Sequence, residues 1–205
     1  MRNEFSADVV LLLVGDSSRC GNAYIQIPNC GVFTDEPGCN VKTAFNSFGF
    51  AVVSTSTCLS GNYTGTHELG HMLGLEHEPL GTLASPFGQS SYNWSYAHVV
   101  PLPVVEGGNG VSTVMADMGA CNDRPCPRDL QFANPAIDFL TRAGTPSGVD
   151  TAQADGRSRF NARTLSLLAP YVSDFRGPAV HYPDRIFRSS MEQLPDTCDV
   201  VPCPI

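Results

Sequence analysis

Residues 67–77 read HELGHMLGLEH and gather three of the chain's five histidines into eleven residues. His67 and His71 are four apart, so on a helix they project from one face, close enough to hold a single ion. The surrounding residues have helical spacing from Tyr63 onward, with Leu69, Met72 and Leu73 opposite the histidines. Asn62 or Thr64 is placed to cap the start, and Gly74 to end the helix. Glycine tolerates positive φ, so the chain can turn sharply at Gly74 and bring His77 back to the pair. Any fold of this chain must therefore supply a helix, a tight exit and a surface on which three imidazoles converge.

Neutral imidazole is a good zinc ligand at ~2.0–2.1 Å. Three protein ligands leave one coordination position open, which marks a catalytic rather than a structural zinc site. Glu68 points to one side of the pair and reaches that position without itself being a ligand. H-E-x-x-H alone can arise by chance on a polar helix face, but the glycine and third histidine at fixed offsets argue against accident. Gly70 inside the helix costs roughly 1 kcal/mol relative to alanine, so a packing reason is expected there, such as close approach of another segment. His98 and His181 stand alone and are read as ordinary surface or core residues.

The setting follows from the cysteines and the charge. Eight cysteines point to an oxidising compartment. Short spacing predicts Cys30–Cys39, Cys121–Cys126 and Cys198–Cys203. Strand adjacency predicts Cys20–Cys58. Cytosolic thiolate zinc binding is the competing reading, but no C-x-x-C spacing occurs. The formal net charge of −8 argues against nucleic acid and anionic membrane surfaces as partners. VVLLLVG (9–15) is flanked by Asp8 and Asp16 and lacks a strong basic leader and a small-residue cleavage site. It reads as a buried strand rather than a signal peptide. The expectation is a secreted protein, either a mature form or a fragment whose leader lies upstream. No run reaches transmembrane length.

Along the chain, ADVVLLLVG is expected to be a central strand, GNAYIQI (21–27) an edge strand and FGFAVVSTS (48–56) a third strand. The active-site helix follows. Residues 78–110 are rich in proline and glycine and read as loop. A second helix is predicted over NARTLSLLAPYVSDF, with Leu165, Leu168, Val172 and Phe175 on one face and a kink or restart at Pro170. Length allows one domain, taken as residues 1–177, and a proline-bearing tail over 178–205.

HELGHMLGLEH resembles the H-E-x-x-H-x-x-G-x-x-H signature of the metzincin zinc endopeptidases. That clan also carries a methionine turn, for which Met115 in VSTVMADMG is the better match and Met118 the second. ADVVLLLV with CGNAYI, FAVVSTSTCLSGNYTGTHELGH, FANP, GTPSG and NARTLSLLAPYVSDFR are similar to segments of the reprolysin-like branch, including bacterial peptidyl-aspartate metalloendopeptidases. The likeness covers about residues 7–176. Three departures stand out. Glu78 follows the third histidine, where reprolysins usually have Asp. Asp117 stands two after Met115, where astacins and serralysins have a tyrosine. The branch also has a further strand and helix before ADVV, so this chain is expected to carry a reduced first part or to lack it.

The resemblance implies a mixed α+β fold, with a twisted, mostly parallel sheet, an antiparallel edge strand, the active-site helix and an irregular C-terminal part with one helix. It implies one zinc ion on His67, His71 and His77, Glu68 as general base, and a peptide or protein substrate lying antiparallel to the edge strand around Asn22, Ala23 and Tyr24. The segment after Met115 would shape the pocket just beyond the scissile bond. Arg124 and Arg128 lie there and are placed either to attract an acidic side chain or to serve as solvated loop charges. A monomer is expected. The competing readings are a binding module that keeps a structural metal and an inactive fragment.

Overall fold

The computed structural model describes residues 2, 5–15, 19–26, 43–55, 58–59, 62–79, 90–101, 110–117, 121, 126–153 and 155–176. Cys30, Cys39, Met118, Arg124, His181, Cys198 and Cys203 lie outside these residues, as does the expected tail over 178–205.

The chain is mixed α/β. A three-stranded sheet is ordered β1–β3–β2, with β1 at Val10–Val14, β2 at Gly21–Ala23 and β3 at Phe50–Ser54. β1 runs parallel to β3, pairing Val10 with Phe50 and Val14 with Ser54. β2 is antiparallel, pairing Gly21 with Val53 and Ala23 with Ala51. A 3-10 helix, Thr43–Phe48, precedes β3. β2 is shorter than its expected run, ending at Ala23.

The expected central strand is a correction. β3 holds the middle of the sheet, and β1 pairs on one side only among the described residues. The apolar run of β1 signals burial on both faces, yet Leu11, Leu12 and Leu13 are 38%, 56% and 52% exposed. In β3 the alternation does its ordinary work: Ala51 and Val53 are buried on the side of the helix that follows, while Phe50 and Val52 face outward.

That helix, α1, spans Thr64–Met72 and packs on β2 and β3. Its N-cap is Tyr63, in the left-handed region at φ 53°, and no side chain caps it, so neither Asn62 nor Thr64 fills that role. Its end is as the sequence predicts: Gly74 has φ +85° just beyond the C-cap Leu73. Two short antiparallel pairs follow, β4 (Val99–Val100) with β5 (Val111–Ser112) and β6 (Asp138–Phe139) with β7 (Arg142–Pro146). The last helix among the described residues, α2, runs unbroken over Asn161–Val172. Pro170 falls in its final turn, which explains why no restart is needed.

The core lies beneath the exit of α1. Leu75, Ala97, Val114, Met115 and Ala116 form one buried cluster, with Tyr63, Val99, Phe132 and Leu165 packed against it. Leu168 of α2 joins Tyr92 and Trp94 in a second. Met115 and Leu168 are wholly buried. Among the described residues no helix is long and apolar enough to cross a membrane.

Candidate metal centre and cleft

Helical spacing puts His67 and His71 on the same face of α1, and the turn at Gly74 returns His77 to them. The three Nε2 atoms stand 3.0 Å (His67–His77), 3.1 Å (His67–His71) and 3.1 Å (His71–His77) apart. The opposite edges of two rings are fixed by main-chain carbonyls. Nδ1 of His67 is 2.8 Å from the Val114 oxygen, and Nδ1 of His71 is 2.8 Å from the Leu75 oxygen. A carbonyl only accepts, so each Nδ1 carries the proton and each Nε2 presents a lone pair inward. Burial first, and then the neighbouring imidazoles, hold His67 well below its ordinary pKa and His71 at about 3.

Two imidazole lone pairs facing each other with a third Nε2 at the same spacing form a set that a cation would complete. Tetrahedral coordination at ~2.0–2.1 Å puts donor nitrogens roughly 3.3 Å apart, close to the spacing observed. The donor set suits zinc, and the buried carbonyl-oriented rings supply the outer support such ligands ordinarily have. His67, His71 and His77 are the one such triad among the described residues.

Glu68 is buried beside this triad, and burial pushes its carboxyl up to about 7, with Arg128 pulling the other way. Its carboxylate lies directly against the backbone of β2 at Gly21, where a Cβ would come within 2.7 Å of Glu68 Cδ. Gly21 lines the cleft, a position that the strand pattern passed over. The available signal was a glycine inside a strand, which marks close approach of another group.

The loop bearing Met115 runs under α1. Gly70 touches the Met115 side chain, so its missing Cβ has the packing reason expected of it. Glu78 ties this loop to the third histidine, its Oε2 accepting the Asp117 N–H at 2.8 Å. Glu76, on the other side of His77, accepts the His77 backbone N–H through Oε1 at 2.8 Å. Burial raises both glutamates to about 7. The sequence marked Glu78 only as a departure from the reprolysin pattern and gave no sign of its bond to Asp117.

A cleft of ≈ 740 Å³ joins these parts. His67, Glu68, His71, His77, Asn22, Ala23 and Arg128 all line it, together with Asp117 and Arg19. Tyr24 does not; it is 59% exposed and packs edge-on against Phe48. Met115 does not either, being buried beneath. Arg128 is half-buried, and its guanidinium donates to the carbonyls of Ala116 and Asn62. Disulfides join Cys20 to Cys58 and Cys121 to Cys126. The first links the start of β2 to the approach to α1.

In sequence comparison, residues 1–78 match the model of the reprolysin-like metallo-peptidase family M12B. The chain is 30% identical over 176 residues to a peptidyl-Asp metalloendopeptidase of Xanthomonas campestris pv. campestris, a match covering 85% of this chain and 32% of that protein. It is 27% identical over 162 residues to a peptidyl-Asp metalloendopeptidase of Stenotrophomonas maltophilia strain R551-3, covering 79% and 32%. The protein of the same name from strain K279a is 30% identical over 170 residues, covering 83% and 33%. The chain thus spans about a third of the length of these relatives. No solved structure gives a significant match.

Proposed function

We propose that this chain is the metzincin-like catalytic portion of a secreted zinc endopeptidase. The observation that carries the proposal is the convergence of three imidazole Nε2 atoms beside the buried Glu68, in a cleft bordered by an antiparallel edge strand. The disulfides favour an oxidising, extracellular setting. The names of the relatives place an aspartyl residue in their substrates, and we extend that preference to this chain.

His67, His71 and His77 would hold zinc, which when bound supplies Lewis acidity to a water nucleophile and to the scissile carbonyl. The chain's own residues do the rest. β2 presents the backbone around Asn22 and Ala23 to an extended peptide, which adds antiparallel to the sheet edge. Gly21 lets the Glu68 carboxylate sit against that strand, next to where the peptide would run. Glu68 takes the proton from the attacking water and passes it to the leaving amine. The carbonyls of Val114 and Leu75 hold His67 and His71 in the tautomer that ligates.

Casein hydrolysis tests the proposal. Activity that EDTA abolishes and zinc restores is the expected result. Zinc binding without hydrolysis would favour a structural-metal module, and absence of both would favour an inactive fragment.

A further inference from the structure

We propose that Arg128 reads an acidic side chain of the substrate next to the scissile bond; this rests on the peptidase reading above and assigns its specificity to one residue. The backbone fixes where the residue sits. Ser112 N–H donates to Pro127 O at 3.1 Å and Asp129 N–H to Ser112 O at 2.8 Å, so residues 127–129 run beside the strand that leads to Met115. From there the Arg128 side chain, which lines the cleft, links two backbone segments. Its Nε donates to Ala116 O at 2.8 Å, on the loop after Met115. Its Nη1 donates to Asn62 O at 2.8 Å, just before α1.

Both bonds go to neutral carbonyls, and neither uses Nη2. Arg128 makes no ion pair with a carboxylate among the described residues. Asp117, Glu78 and Glu68 feel its charge, but none stands at ion-pair distance. A half-buried guanidinium anchored to two carbonyls through Nε and Nη1 keeps Nη2 for a further acceptor. It lines the same cleft as the histidine triad and Glu68, so the acceptor arrives with the substrate. A carboxylate is the group its planar fork matches best. A side-chain amide of the same shape brings one acceptor oxygen, no charge, and an amino group that the fork repels.

The test uses zinc-loaded protein and pairs of fluorogenic peptides that differ only in Asp or Asn at each residue flanking the scissile bond. At one of the two positions kcat/KM should favour Asp about 10- to 100-fold. Arg128→Gln should bring that ratio close to one. Arg128→Lys, which keeps the charge and loses the fork, should give an intermediate value. The ratio is internal to each preparation, so partial misfolding leaves it unmoved. A second arm needs no turnover: the same peptides are titrated by fluorescence anisotropy onto the Glu68→Gln protein, with and without Arg128→Gln. Tighter binding of the Asp peptide should vanish with the arginine. An Asp preference that survives Arg128→Gln, or equal handling of Asp and Asn by the parent protein in both arms, would overturn the proposal. Binding that follows Arg128 without any hydrolysis would instead overturn the peptidase reading and leave this assignment standing.

Discussion

The Met115 side chain fills the space that a Cβ on Gly70 would need, so the helix carrying His67 and His71 rests directly on the loop beneath it. Gly70→Ala should therefore destabilise the protein, despite the roughly 1 kcal/mol that alanine gains in helix propensity. Overpacking of this kind costs typically 1–3 kcal/mol. Combining it with Met115→Ala should show strong coupling, because the sulfur is what the new methyl meets. Denaturant unfolding of both single variants and the double variant measures this, and additive effects would deny the contact.

Gly21 is expected to matter to rate more than to metal. A methyl there would displace the Glu68 carboxylate, which lies against the strand. Gly21→Ala should keep zinc at parent levels and lower kcat. A displacement of about 1 Å in a reacting group can cost on the order of 10²-fold. Metal analysis and initial rates on one preparation distinguish this from loss of the site.

His98 gives the acid limb of stability a definite sign. Burial, with Arg159 second, lowers its pKa to about 4 from an ordinary value near 6.5. The unfolded chain therefore takes up its proton first as pH falls. The contribution of His98 is fully present above about 6.5 and is lost between there and about 4. The loss should be on the order of 1–3 kcal/mol. His98→Gln removes this component, while His67 and His71 titrate equally in both proteins. The stability difference between parent and variant should be flat above pH 6.5 and shift below it; a difference independent of pH would refute the assignment.

The Cys20–Cys58 disulfide closes a sequence separation of 38 residues and fastens β2 to the approach to α1. Replacing both cysteines by serine should lower stability by about 2–4 kcal/mol. Peptide mapping without reduction should recover Cys20 and Cys58 in one linked species. Recovery of Cys20 joined to Cys30 would contradict the pairing.

Much of the site was legible because local spacing determines it. The i, i+4 histidines, the glycine exit and the return of His77 are properties of one turn of backbone, as is the end of α1 at Gly74. What depends on distant segments was harder to read. The apolar pattern of VLLLV reports a strand's affinity for cover, not its position in a sheet, so β1 read as central although β3 holds the centre. The run of GNAYIQI could not show that pairing stops at Ala23. Arg128 read as ambiguous because nothing in its neighbours specifies the carbonyls of Ala116 and Asn62, 12 and 66 residues away, to which it donates. The bond from Asp117 to Glu78 spans 39 residues and left only an unusual residue after the third histidine as its trace.

The most direct measurement is zinc content and peptidase rate of Glu68→Gln on the same preparation. Glutamine keeps the shape of the side chain and its hydrogen bonding but cannot accept a proton at neutral pH. General-base catalysis typically contributes ~10²–10⁴-fold. The account predicts zinc close to one ion per chain and a rate reduced by at least ~10²-fold. Full activity with zinc bound would contradict Glu68 as the base, and zinc lost together with activity would show that it supports the metal instead.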